Sequence, residues 1–221
     1  CEITPQATAE RIVAEVRDPE GGGGRAEIAI EVADTLAPTA AILSPTAEGA
    51  YYSDQLVFFQ GQISDPEQAA EELEFSWESN VDGQLPFTAS PDSTGLIEQY
   101  LYLSAGQHAV TLTVTDVTGK SDNETVAIFV GGPNTEPSCE ILSPAAQESF
   151  VSGQNITFSG TATDADINNS LLTVSWESDQ DGLINSTAPN TQGEVSFISN
   201  QLSIGNHTIT LRVEDEVGGL C

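Results

Sequence analysis

Asp164, Asp166 and Asn168 place oxygen atoms at alternate positions of one loop, and Asp181 and Asp215 are expected to approach from neighbouring loops at the same end of the same domain. A hard divalent cation takes roughly six to eight oxygen ligands, several of them anionic, so calcium is the ion that such a set would hold. Asp179 lies beside them, and the first half carries a thinner set in Asp65, Glu67, Asp82 and Asp116. The competing use of the same side chains is to cap turns by accepting backbone N–H bonds. Calcium therefore enters as an optional ligand, and no cofactor is required.

Catalysis needs a nucleophile, a base and an orienting group, or a metal-bound water, and this chain supplies no such constellation. His108 and His207 are the only histidines, and both stand just ahead of an apolar alternating run. A turn-stabilising hydrogen bond accounts for both. Trp77 and Trp176 alternate in phase with Phe75 and Val174, which makes them core anchors and not ligand-stacking platforms. Tyr51, Tyr52, Tyr100 and Tyr102 are the residues a stacking row would use. They lack counterparts in the second half, which argues against a repeated carbohydrate platform. No catalytic residue is assigned.

Covalent chemistry is better represented. Cys139 and Cys221 occupy places where the first half has Ala40 and Asp122. Two cysteines introduced together into one copy predict a bond between its first and last elements. Closing so long a loop stabilises by roughly 4–5 kcal/mol in the chain-entropy model, and such a bond implies an oxidising compartment. Cys1 is left over, as a partner for a cysteine elsewhere, a free thiol or a lipid-carrying first residue. Asn-x-Ser/Thr triplets at Asn123, Asn155, Asn168, Asn185 and Asn206 are glycosylation candidates and favour an extracellular address.

The elements that position these residues are repeated. Phe75-Ser76-Trp77-Glu78-Ser79 returns as Val174-Ser175-Trp176-Glu177-Ser178, 99 positions later, and the same offset carries Gly61 to Gly160, Asp65 to Asp164, His108 to His207 and Asp116 to Asp215. One module is present twice. Within each copy the apolar residues alternate, as in Val57, Phe59, Gly61 and Ile63 or Val110, Leu112 and Val114, between turns rich in Gly, Pro, Asn and Asp. Period-two runs of this kind predict an all-β fold of two-sheet antiparallel sandwiches arranged end to end. Pro66 to Leu73 is the only helix-like stretch and is given one turn at most. Pro38 to Pro45 and Pro137 to Pro144 open the copies as edge strands.

Three segments follow. Residues 1–37 hold the last hairpin of a partial module, 38–132 a first sandwich, and 137–221 a second that lacks its last strand, with a short linker between the sandwiches. In the partial module Val16, Asp18 and Gly21 match Val114, Asp116 and Gly119 at an offset of 98. A lone hairpin is at best marginally stable, so something must hold it. Either the chain is an ordered window of a longer array, or Ala26, Ile28, Ile30 and Val32 form a strand donated to the sandwich of a neighbouring copy, giving a head-to-tail filament.

Charge narrows the partners. Asp and Glu outnumber Lys and Arg by 34 to 5, for a net charge of −29, so phosphate backbones and anionic membranes repel the chain and nucleic acid is excluded. No apolar run reaches the roughly 18 residues that span a bilayer.

Trp77 followed by Gly106-Gln107-His108-Ala109-Val110-Thr111-Leu112-Thr113-Val114-Thr115-Asp116 resembles the PKD family, as do Trp176 and the run from Gly205 to Asp215. The resemblance implies an immunoglobulin-like β-sandwich and a non-catalytic role as spacer, adhesion or protein-contact unit at the cell surface or outside the cell. The partners it implies are neighbouring copies or flanking PKD-like repeats. The alternatives are an accessory binding or spacer module of a secreted hydrolase and a calcium-dependent adhesin.

Overall fold

A computed structural model describes residues 11–30 and 34–221, with the backbone alone described at Arg11 and Ile12. Cys1 and Val32 lie outside the described residues. Strands β1 (Arg11–Arg17) and β2 (Gly23–Ala29) form an antiparallel hairpin. The first sandwich contains β3 (Thr39–Ser44), β4 (Tyr51–Tyr52), β5 (Val57–Ser64), β6 (Glu74–Ser79), β7 (Gly83–Gln84), β8 (Leu96–Leu101), β9 (Gly106–Thr115) and β10 (Ser121–Gly131). The second contains β11 (Ser138–Ser143), β12 (Ile156–Thr163), β13 (Thr173–Ser178), β14 (Gly182–Asn185), β15 (Glu194–Ser199) and β16 (Ile209–Glu214). The helix-like stretch is a single 3-10 turn, Ala70–Glu72, repeated at Asn169–Leu171.

In the first sandwich a sheet of order β3-β5-β8 faces one of order β4-β10-β9-β6-β7, and only β4 runs parallel to its partner. The second repeats this as β11-β12-β15 and β14-β13-β16. Strand alternation sends Val57, Phe59 and Ile63, Trp77, Ile97, and Val110, Leu112 and Val114 into one core. Ile156 and Phe158, Val174 and Trp176, and Leu211 and Val213 fill the other. β3 and β11 sit at sheet edges, as their flanking prolines require.

The repeated glycines follow from the tryptophans. A Cβ at Gly61 would stand 2.8 Å from the Trp77 ring and 2.9 Å from Leu112, and one at Gly160 would meet the Glu140 carbonyl at 2.5 Å and Trp176 at 3.1 Å. Each indole therefore lies against bare backbone of the facing sheet. Its other neighbours differ between the copies. Phe87, from the loop after β7, stacks on Trp77 at 5.3 Å, whereas Phe197, on β15, meets Trp176 edge-on at 5.6 Å.

The hairpin has the register of the last hairpin of the first sandwich. Val16 faces Gly24 across β1 and β2 as Val114 faces Asp122 across β9 and β10. All described side chains of β1 and β2 are exposed, Val16 at 74% and Ile28 at 63%. The residues that match Ile30 and Val32 on β10, Ile128 and Val130, are buried. In the second sandwich the turn after β16 ends at residue 219, two residues before Cys221. Leu220 already bridges Glu214, and Cys221 exchanges both backbone hydrogen bonds with Val213 at 3.0 Å, so Cys221 sits where a strand alongside β16 begins.

Candidate functional site

The polar groups that link elements fall into three sets: the turns that follow β9 and β16, the histidines paired with serines, and the junction between the sandwiches.

Asp116 and Asp215 close their turns in the same way. Asp116 Oδ1 accepts from the N–H groups of Thr118 at 2.8 Å and Lys120 at 2.9 Å, and Asp215 Oδ1 from Val217 at 2.9 Å and Gly219 at 2.7 Å. Asp18 does the same for Gly22 in the hairpin. Gly21, Gly119 and Gly218, with φ of 94°, 86° and 90°, supply the left-handed residue that these turns need. Burial alone would raise the Asp116 pKa, but the Thr118 hydroxyl and three backbone N–H groups outweigh it and hold the carboxyl below its ordinary 3.8. Asp215 is lowered likewise: burial opposes, while Asn134 and the N–H groups of Val217, Gly219 and Gly218 prevail. A carboxyl whose pKa is lowered on folding contributes stability above the unfolded value and loses it as the pH falls through the folded one. The melting temperature is therefore expected to be flat from pH 7 to about 5 and to drop below 3.8, with Asp116→Asn removing part of the drop in calorimetric scans across that range.

Each histidine is paired with the serine that ends the tryptophan strand. His108 Nδ1 lies 2.7 Å from Ser79 Oγ and its Nε2 lies 2.7 Å from the Ser104 carbonyl. His207 repeats this with Ser178 at 2.8 Å and the Ser203 carbonyl at 2.9 Å. The carbonyl must receive the Nε2 proton, so Nδ1 accepts from the serine hydroxyl. Ser79 Oγ in turn accepts from the N–H of Val81 at 3.1 Å. Asp82 and Asp181 stand near at 3.8 and 3.6 Å but spend an oxygen on the N–H groups of Ser104 and Ser203. The serine hydroxyl donates to the imidazole as it would in a nucleophilic pair, but Ser79 is 1% exposed. Residue 108 is also 1% exposed, so no substrate reaches it. These are turn-holding pairs, and Ser79 and Ser178 were legible only as repeated positions.

The junction joins the sandwiches through Asp54, Asn134, Thr135 and Glu216, which neither repeat nor spacing singled out, together with Tyr52, Asp166 and Asp215. Asn134, in the linker, donates its backbone N–H to Asp54 of the first sandwich at 2.9 Å and its amide Nδ2 to Asp215 of the second at 2.9 Å. Tyr52 is buried, and its hydroxyl donates to Glu216. Burial first, then that bond and the carboxylates of Glu216, Asp166 and Asp164, push the phenol up, so Tyr52 stays a donor. Thr135 N–H donates to Asp166 at 2.6 Å. Ahead of the first sandwich the same pattern recurs: Leu36 N–H donates to Glu67 at 3.1 Å, and Lys120 Nζ to Thr35 Oγ1 at 2.9 Å.

The five oxygen-bearing residues considered for calcium are divided by the fold. Thr173 pairs with Glu214 and Ser178 with Ile209, so Asp215 and Asp181 lie beyond opposite ends of β13 and do not share one end of the sandwich. Asp164 and Asn168 cap their own loop through Asp166 N–H at 2.7 Å and Ser170 N–H at 3.0 Å. Among the described residues no three His, Cys, Asp or Glu side chains converge on a metal position. Of the glycosylation candidates Asn123, Asn155, Asn168 and Asn206 are exposed and Asn185 is half-buried, with Asn168 and Asn185 holding backbone N–H groups. Tyr51 bonds Thr46 and Tyr52 is in the junction, so of the four tyrosines only Tyr100 and Tyr102 present an exposed ring. Cys139 and Cys221 are disulfide-bonded. Ala26, Ile28 and Ile30 of the donor candidates lie along or just past β2.

Residues 41–129 match the family model described as the PKD domain, and residues 137–211 match that of a bacterial Ig domain. Comparison with curated proteins gives no match. Among solved structures, the fibronectin(III)-like modules of Clostridium thermocellum CbhA are 15% identical, covering 82% of this chain and 88% of theirs with a TM-score of 0.59. A bacterial ice-binding adhesin of 1.5 MDa is 17% identical over 97% of this chain and 72% of its own, with a TM-score of 0.41. The first likeness is one of fold, and the second adds nothing to it. Among the described residues no helix is long and apolar enough to cross a membrane.

Proposed function

This chain is a tandem of PKD-like immunoglobulin domains, and on that premise we propose that it is a stiff spacer in a protein at the cell surface or outside the cell. Modules of this kind are non-catalytic. The observation that carries the reading is Asn134, whose backbone and side chain are bonded to different sandwiches, with Tyr52 and Glu216 as a second tie beside it. A linker held on both sides cannot swing without breaking hydrogen bonds to charged groups, which are stronger than neutral ones. The Cys139–Cys221 bond and the acidic surface fit an oxidising, aqueous address.

The exposed hairpin favours a finer reading in which modules complete one another by strand addition. β10 covers β9 along ten residue pairs, whereas the described pairing along β16 beyond β13 is limited to Leu220 and Cys221. β2 carries the inward alternation of β10, with Ile28 and Ile30 in the places of Val126 and Ile128. Laid beside β16 of a neighbouring copy, it would gain ladder hydrogen bonds and cover its own apolar residues.

Small-angle X-ray scattering tests both parts. The native chain is expected to fit one arrangement of its sandwiches, and Tyr52→Phe with Asn134→Ala to require an ensemble of arrangements, with both melting transitions retained. A native chain that already needs an ensemble removes the spacer reading. Strand addition predicts a mass that grows with concentration and returns to the monomer in Ile28→Asp; concentration-independent monomers, or growth unaffected by that substitution, remove it.

A further inference from the structure

We infer that the outer face of the β3-β5-β8 sheet is a binding surface for a neutral polysaccharide, a role independent of the spacer reading. The surface is built by strand register. Phe58 stands opposite Tyr100, and Gln60 opposite Glu98, while Leu56 and Tyr102 lie one residue beyond the last pair, Val57 with Leu101. Tyr100 and Tyr102 are 59% and 62% exposed, and Leu56 is 52% exposed. Phe58 packs against Tyr100 with ring centroids 4.8 Å apart, which fixes the Tyr100 ring, and Gln60 Nε2 donates to Glu98 Oε1 at 2.6 Å. The result is a patch of rings and alkyl groups with a fixed amide and carboxylate along one side.

The sandwich does not need this patch. In the second sandwich Thr157 faces Ile198 in place of Phe58 and Tyr100, and the same fold forms. Contiguous exposed apolar groups rimmed by polar ones mark contact sites. Tyrosine suits a partner that is apolar on its face and hydrated at its edge, because the ring offers both. A pyranose has that character: axial C–H bonds line its faces and hydroxyls its rim. Residues two apart on a strand stand roughly 7 Å from each other, so Tyr100 and Tyr102 reach adjacent sugar units of an extended chain. Charge selects within the class. At a net charge of −29 the protein repels acidic polysaccharides, which leaves neutral ones.

Native affinity electrophoresis of the whole chain through gels containing hydroxyethylcellulose, xylan, dextran or, as an acidic control, alginate tests this. The expected result is retardation in at least one neutral gel, none in alginate, and at least a tenfold loss of affinity in Tyr100→Ala with Tyr102→Ala at an unchanged melting temperature. Both rings are exposed, so the variant keeps its core; Glu98→Gln should also weaken retention, by loss of an acceptor for sugar hydroxyls. Free migration in every neutral gel, equal retention of the double variant, or retention in alginate alone overturns the inference. So does a sedimentation result in which the same variant dissolves a self-associated species while no gel retains the native chain.

Discussion

Trp77→Ala is expected to destabilise the first sandwich by about 3–5 kcal/mol, the range for removing a fully buried aromatic from a core. For a domain of this size each kcal/mol moves the midpoint by roughly 4–8 °C, so the first transition should fall by at least about 12 °C. The geometry places Trp77 at the upper end. Its ring touches Gly61 across the sheets, stacks on Phe87 and meets Phe59 edge-on at 5.4 Å, so truncation strips contacts from both sheets at once. The void cannot close by a side chain at residue 61, because glycine has none. Trp77 Nε1 has no acceptor among the described residues, so the loss is one of packing, and Trp77→Phe should cost much less than Trp77→Ala. Two tryptophans in two sandwiches also make the measurement clean. In Trp77→Ala the remaining fluorescence belongs to Trp176 and should melt as in the native chain, while calorimetry shows the earlier transition. A shift of only a few degrees in the first transition would mean that the indole is not the anchor its burial implies.

The tryptophans were legible because alternation alone decides which face of a strand is buried, and the facing glycines are the shadow of their rings. The aromatic that covers each indole was not. Phe87 and Phe197 come from different elements, since Phe59 faces Gln99 across β5 and β8 where Phe158 faces Phe197 across β12 and β15. The offset between the copies changes by one residue there, from 99 to 98, and a gap-free comparison passes over the exchange. The junction was hidden for a related reason. Glu216 matches Val117, which is exposed, so a reading built on shared positions discards it. Its partner Tyr52 lies 164 residues away, and nothing local to either residue links them. The acidic loops failed differently: loop membership was readable, but which end of a sandwich a loop occupies depends on strand direction. Asp181 follows β13 and Asp215 follows its antiparallel partner β16, which sends them to opposite ends. The hairpin forms, but its described side chains are all exposed, so its alternation meets no partner surface among the described residues.

Removing the Cys139–Cys221 bond is expected to destabilise the second sandwich alone, by roughly 4–5 kcal/mol for the 82-residue separation in the chain-entropy model. The first sandwich shows what the bond replaces. There Ala40 N–H donates to the Asp122 carboxylate at 3.0 Å, and Ile42 N–H to Glu124, so its first strand is tied to its last by hydrogen bonds to charged side chains. Such bonds contribute roughly 1.5–3 kcal/mol each and are spread along the long pairing of β10 with β9. In the second sandwich Leu220 bridges Glu214 and Cys221 pairs with Val213, so the covalent link ties β11 to the segment beside β16. Cys139→Ser with Cys221→Ser, followed by Trp176 fluorescence in urea, should lower the midpoint of the second sandwich and leave the calorimetric transition of the first in place. Reduction of the native chain by a dithiol should reproduce the shift, and the serine variant should then be indifferent to the reductant. If instead the shift is under about 1 kcal/mol, the residues around Cys139 are held by packing that survives without the bond, and the correspondence with Ala40 and Asp122 is one of position without shared function.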